Sequence, residues 1–290
     1  MKNFFAFFLV LLLNISCGPE PQQKYLKYQN IIILSDMSTR LDNRQQKDIP
    51  EIEKLVDYFR SECVKPGEKI GDRSCILFST FSDRVAAAID ISQIQSLGDK
   101  QSFINNTGKY KNSGLDKQLK DFKNTLKDVY KSKRDNGLDL ISVLVEKIQN
   151  QSLIKKDTLF SSGIDSTHIS FENHIYIFTD GYLEYRNKDQ NSQFYYGSLE
   201  VDKVRQYCIN NSINIAAALE KNKLLCLPVC RNSKNSLINL HIYETHERDK
   251  NVELQTYRHP IGQRDNEILE AVWRKWAIES GFASFEWKKY

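Results

Sequence analysis

The hydrophobic positions of this chain fall into short runs and helical stripes that alternate along its length. Residues 30–34 (Asn-Ile-Ile-Ile-Leu) and 174–178 (His-Ile-Tyr-Ile-Phe) are mostly apolar runs of strand length. Each ends abruptly in a polar turn bearing an acid, Asp36 in the first and Asp180 in the second. Runs without polar alternation fit parallel strands that helices cover on both faces. Residues 74–81 and 85–91 predict two strands joined by the turn 82–84, hence an antiparallel hairpin at a sheet edge. Residues 224–229 and 237–243 predict two more strands. Between these runs the apolar spacing turns helical. Ile52, Leu55, Val56 and Phe59 form one stripe, with Asp48 as its expected N-cap, Glu51 three residues on and Pro50 in the first turn. Leu115, Leu119, Phe122, Leu126, Val129 and Tyr130 mark a helix over 115–131, inside a lysine-rich stretch, 92–136, that reads as a solvated helical excursion. Leu138, Ile141, Leu144, Val145 and Ile148 mark another, and 201–209 a further one. Ile268, Leu269, Val272, Trp273 and Trp276 stripe a terminal helix that Gly281 is placed to end. Strands alternating with helices predict an α/β fold with a mostly parallel sheet.

In open α/β sheets the carboxyl ends of the strands form the crevice where ligands bind. If the two apolar strands are neighbours, Asp36, Ser38 and Asp180 converge there. The turn Asp36-x-Ser38, followed much later by Thr179-Asp180-Gly181, resembles a von Willebrand factor A (vWA) domain. The likeness runs from about residue 28 to the C-terminus and implies a three-layer, Rossmann-like fold. In that family a D-x-S-x-S turn, a distant Thr and a later Asp form a metal-ion-dependent adhesion site. The resemblance therefore implies Asp36, Ser38 and Asp180 as ligands of Mg²⁺, with a position left for a partner's carboxylate. Two departures stand out. Arg40 occupies the place of the second Ser, and Leu138 or Asp139 falls in the slot of the Thr, which makes Asp139 a further metal candidate. A fixed positive charge at Arg40 penalises a bound cation. Its guanidinium pairing with Asp36 or Asp180 in place of the metal is the competing expectation.

The N-terminus carries a different signal. Lys2 precedes an almost wholly apolar run, 4–13, then Asn14-Ile15-Ser16-Cys17. A basic start, a short apolar stretch and a small residue before a cut describe a secretory signal over 1–16. Ten apolar residues in a helix reach about 15 Å, half of a bilayer core of about 30 Å. Ile15-Ser16-Cys17 resembles a bacterial lipobox, with Asn14 a departure, which implies lipidation of Cys17. Residues 17–27 then read as a lipidated, flexible tether and 28–290 as the domain. The expected location is the bacterial cell envelope, with the membrane reached through the lipid anchor.

Composition narrows the partner. Lys and Arg number 41 against 37 Asp and Glu, so the net charge of +4 is small, and no basic block is interleaved with aromatics as a nucleic-acid surface requires. Five cysteines remain beyond Cys17, namely Cys63, Cys75, Cys208, Cys226 and Cys230, without zinc spacing. Cys63 and Cys75 bracket one helix-to-strand link, where a disulfide and free thiols are both open. The stretch after Asp180 is aromatic and polar, with Tyr182, Tyr185 and Arg186 expected at the crevice rim. Tyr and Arg are the residue types that most often anchor interfaces, so Tyr182, Tyr185 and Arg40 are the partner-binding candidates. No nucleophile elbow, phosphate loop or zincin helix occurs. The expected function is thus a membrane-anchored exported protein that binds a protein or cell-envelope partner, with or without a metal. The alternatives are a metal-dependent phosphoester hydrolase built on Asp36 and Asp180, and a scaffold that binds nothing.

Overall fold

β1 (Gln23–Ser35) and β5 (Asp165–Thr179) lie at the middle of a seven-stranded sheet, where their uninterrupted apolar runs are buried on both sides. The computed structural model describes residues 23–38, 44–65, 71–82, 85–132, 139–150, 153–162, 165–185 and 194–290. The strand order is β3 (Ala87–Asp90), β2 (Cys75–Thr80), β1, β5, β6 (Ile238–Glu244), β9 (Ser284–Lys289), with β4 (Thr158–Ser162) paired to β5 off this path. β1 runs parallel to β2 from Asn30↔Cys75 to Ser35↔Thr80, and β6 runs parallel to both β5 and β9. β3 is the antiparallel edge strand that the hairpin pattern predicts. The short strands β7 (Lys250–Asn251) and β8 (Thr256–Tyr257) form a separate two-stranded sheet.

Successive side chains of a strand point to opposite faces, and the core divides accordingly. On one face Ile32, Leu34, Ile175, Ile177, Leu240 and Ile242 meet α4 (Leu140–Asn150), α5 (Ser198–Asn211), α6 (Ile215–Lys221) and α7 (Asp265–Ser280). On the other, Ile31, Ile33, Ile76, Phe78 and Phe178 meet α1 (Arg44–Tyr58), α2 (Leu97–Ile104) and α3 (Leu115–Ser132). This is a three-layer α/β architecture with a mostly parallel sheet. It is compatible with a vWA-like fold.

The larger of two compact units holds residues 28–155 and 172–290. In the smaller, whose described residues are 23–27, 156–162 and 165–171, β4 pairs antiparallel with the start of β5 and Tyr25 stacks on His168 at 4.7 Å.

Several expectations change. Residues 23–27, read as tether, extend β1, because a polar strand start is satisfied by backbone pairing alone. The excursion 92–136 is not merely solvated. Leu115, Leu119, Phe122, Leu126 and Tyr130 of α3 are all buried against the sheet. Asp48 does not cap a helix. α1 starts at Arg44, and Asp48 lies inside it, buried, accepting from the hydroxyls of Tyr130 (2.9 Å) and Tyr290 (2.8 Å). Residues 224–229 are no strand. The Asn222 side chain accepts from the Leu224 amide and starts a 3₁₀ turn, and Pro228 withholds a ladder donor. Cys63, Cys75, Cys208, Cys226 and Cys230 are all free thiols. Gly281 ends α7 at φ 87°, as the sequence requires.

Candidate functional site

The two acids at the strand ends do come together. The Asp36 amide donates to the carbonyl of Phe178 at 2.9 Å, which seats the end of β1 beside the end of β5. The Thr179 hydroxyl then donates to Asp36 Oδ2 at 3.2 Å. Asp36, Ser38, Thr179 and Asp180 are all buried, at 2, 1, 0 and 1% exposure. Such depth asks that every oxygen find a donor. Asp36 Oδ1 accepts from the Ser38 amide at 3.0 Å, and Asp180 Oδ1 from the Tyr182 amide at 3.2 Å. Both are local turns in which a short acid caps its own backbone.

The fourth oxygen, Asp180 Oδ2, is held by Arg248, a residue that the sequence reading did not single out. Arg248 follows β6 in the loop 245–249 and donates from Nε at 2.8 Å. Its Nη1 reaches Glu184 Oε2 at 2.8 Å, and its guanidinium lies 3.7 Å over the Tyr182 ring. Burial works against the arginine's charge, but Asp180 and Glu184 outweigh it and hold the guanidinium protonated. The sheet supplied a signal: Arg248 stands four residues past the end of the strand next to β5, on the same carboxyl rim as Asp180.

Gly181 makes the turn possible. Its φ is +83°, and an added Cβ would sit 2.6 Å from Trp287 Cη2, so only glycine fits. Its carbonyl accepts from Trp273 Nε1 at 2.8 Å, tying the turn to α7.

The other candidates are placed as follows. Tyr182 is no rim residue: it is 1% exposed, with its hydroxyl donating to Asp265 Oδ2 at 2.5 Å. Tyr185 is half-buried and meets Tyr195 edge to face at 5.4 Å. Tyr195 also lines a groove of about 520 Å³ with Leu224, Leu227 and Val229. Asp139 is the N-cap of α4, taking the Ser142 amide at 3.0 Å and the Ser142 hydroxyl at 2.7 Å. Arg40, Leu138, Arg186 and Cys17, with the signal segment, lie outside the described residues.

Mg²⁺ demands oxygens in near-octahedral array at about 2.1 Å. Each carboxylate oxygen of Asp36 and Asp180 already accepts a hydrogen bond, and a guanidinium stands against Asp180. Among the described residues, no group of three or more His, Cys, Asp or Glu is arranged to hold a metal. The described residues as arranged therefore do not fit the ion that the resemblance implies.

Glu244, paired in register with Thr179 at the end of β6, is 3% exposed and accepts from Trp287 Nε1 at 2.9 Å. Burial, with Glu247 and Asp180 adding to it, pushes its carboxyl up to about 8. The folded state thus holds a proton that the unfolded chain releases near 4.3. Stability is full below that lower value and is lost as pH rises through about 8. Glu244→Gln keeps a neutral acceptor for Trp287, so the variant should overtake the natural chain in urea midpoint as pH goes from 5 to 9. Parallel midpoints across that range would show that Glu244 is ionised in the fold.

A scan against protein-family models finds no matching family, and a search of the curated proteins finds no match for this chain.

Proposed function

We propose that this chain is an exported, lipid-anchored protein whose vWA-like domain binds a protein or cell-envelope partner at the crevice above β1 and β5. The observation that carries this reading is the junction of the two strand ends. Asp36 and Asp180, 144 positions apart, are brought to one carboxyl rim through the Asp36–Phe178 and Thr179–Asp36 hydrogen bonds. Ligand crevices of open α/β sheets lie at this position. Anchoring rests on Cys17 and the signal-like segment before it. Among the described residues, no helix is long and apolar enough to cross a membrane. The hydrolase alternative is less well supported, because carboxylates whose oxygens are committed to backbone and arginine donors are poor bases and poor metal ligands.

The contact we favour is Tyr185, half-buried beside Tyr195 and next in sequence to the Arg248-bound Glu184. Immobilised protein should capture a partner from envelope extract, and Tyr185→Ala should weaken that capture by about tenfold, roughly 1.4 kcal/mol, with circular dichroism unchanged. Capture equal to the natural chain's would remove Tyr185 from the interface. Cys17→Ala, in parallel, is expected to move the protein from the membrane to the soluble fraction, since stable anchoring takes more than one chain or signal. Continued membrane partition of an unlipidated, correctly cleaved form of that variant would exclude a lipid anchor at Cys17.

A further inference from the structure

The smaller unit leaves large apolar side chains in solvent. Tyr25 of β1 is 70% exposed, and Leu159 and Phe160 of β4 are 58 and 52% exposed. They are ordered across the strands. Leu159 stands opposite His168 in the β4–β5 register, and Tyr25 of the neighbouring β1 stacks on the same His168 ring. Opposed residues of a ladder share a face, so Tyr25, His168 and Leu159 form one row over three strands. Phe160, next along β4, points to the opposite face. Two bonds tie these strands further: the Ser170 hydroxyl donates to the Leu26 carbonyl at 3.4 Å, and the Phe171 amide to Asp157 Oδ1 at 2.9 Å. β4 itself, Thr-Leu-Phe-Ser-Ser, carries no charge, and among the described residues it pairs with β5 alone. An uncharged edge strand with exposed apolar side chains is a surface that proteins cover.

The chain itself points to what covers this one. Five residues, 18–22, separate Cys17 from Gln23, the first residue of β1. Six Cα steps reach at most about 20 Å, so acyl chains on Cys17 hold the start of β1 within that distance of a bilayer surface. Tyr25 follows two residues later. The charges suit the same surface: Lys24, Lys27 and Lys156 are exposed, against Asp157 and Asp165. Tyrosine and lysine place an apolar body at the acyl boundary and a polar tip among the headgroups. We propose that Tyr25, Leu159 and Phe160 form a second membrane contact, which lies on the bilayer that the Cys17 acyl chains enter. Its placement rests on the lipid-anchor reading above. The contact is interfacial, because the open edge of β4 needs water or headgroups for its backbone. By itself it holds weakly, and it adds to the acyl chains by keeping the unit against the bilayer.

The test uses the full chain purified from membranes and vesicles of phosphatidylethanolamine and phosphatidylglycerol with brominated acyl chains, which quench tryptophan that enters them. In Leu159→Trp and in Phe160→Trp the added emission should be quenched, beyond any quenching of Trp273, Trp276 and Trp287 in the natural chain. The same variants combined with Cys17→Ala should still be quenched when lipid is in large excess. In the Cys17→Ala chain, Leu159→Ser with Phe160→Ser should lower vesicle partition by about tenfold, since two apolar side chains leave the interface. Circular dichroism checks the fold, and Tyr25→Ser replaces the serine pair if that pair does not fold. Lipidated, folded tryptophan variants without added quenching would overturn the proposal. So would a dimer in sedimentation that the serine pair dissolves while the vesicles quench nothing, which would assign the surface to a second copy of this chain. Mass spectrometry of the natural chain separates the two readings. If Cys17 carries no acyl chain the anchor reading fails, and the contact is then judged on the Cys17→Ala chain alone: partition that the serine pair reduces upholds it, and no partition overturns it.

Discussion

Trp273→Ala should cost about 4 kcal/mol of folding stability, because deleting a buried tryptophan removes its transfer energy and leaves a cavity. Trp273 is 1% exposed on the inner face of α7 and meets Trp276 edge to face at 5.6 Å. A second loss is specific to this chain. Trp273 Nε1 donates to the Gly181 carbonyl, and that peptide belongs to the turn that presents Asp180. With the donor gone, a buried carbonyl is left unmatched, a penalty of about 1–3 kcal/mol when no water reaches it. Trp273→Phe helps to separate the two effects, since it keeps an aromatic ring in place, leaves a smaller cavity than Ala and loses the donor. The expected order in urea midpoints is natural chain, Phe, Ala, with unchanged slope. A Phe variant as unstable as Ala would mean that the hydrogen bond, not the ring, carries the cost. Typical domains hold only about 5–15 kcal/mol in total, so the Ala variant should lose a large share of its margin.

What the sequence made legible was whatever its own periodicity encodes. The apolar runs of β1 and β5, the stripe of α3 and the Trp273–Trp276 stripe of α7 are local patterns, and each appears where its spacing puts it. Their acids could be placed because strand ends in a parallel sheet share a rim. What stayed hidden depends on distant partners. β9 carries charges at Glu286, Lys288 and Lys289, which a sheet edge tolerates but which no strand pattern announces. The start of β5 is polar, and it becomes strand only by pairing with β4. Asp48 has the sequence context of a cap, yet two tyrosine hydroxyls, 82 and 242 residues away, draw it inside α1. Tyr182 reads as a rim aromatic until Asp265 accepts its hydroxyl, 83 residues on. Arg248 is the sharpest case. Glu247-Arg248-Asp249-Lys250 is a stretch of alternating charge that reads as solvated loop, and only the position of β6 beside β5 directs Arg248 at Asp180. The expectation that an arginine answers the buried acid was chemically sound. Among the described residues the arginine against Asp180 is Arg248, while Arg40, the arginine to which the sequence pointed for Asp36 or Asp180, lies outside them.

Arg248→Met should destabilise the fold by on the order of 3 kcal/mol at pH 7, because it takes the guanidinium away from the fully buried Asp180 carboxylate. Glu184, with 23% of its side chain exposed, can turn to water and should add little. Packing loss is modest as well, since methionine keeps a flexible apolar stem over the Tyr182 ring. The sign of the pH dependence separates a charge effect from a packing effect. In the variant, Asp180 is expected to titrate above its unfolded value of about 3.9, because burial penalises the charged form and the Arg248 guanidinium no longer offsets it. The folded state then binds a proton that the unfolded chain releases. The variant should therefore regain stability as pH falls, and its deficit against the natural chain should shrink between pH 7 and pH 5. A lost packing contact would give the same deficit at both pH values. Asp180→Asn supplies the second axis of a double-mutant cycle: an amide needs no counter-charge, so adding it to Arg248→Met should recover part of the loss, and the two changes should not add. Urea denaturation of the four proteins at pH 7 and pH 5 measures every term. Additive losses that ignore pH would mean that Asp180 is not held charged by Arg248, and the crevice would need another account of its buried acid.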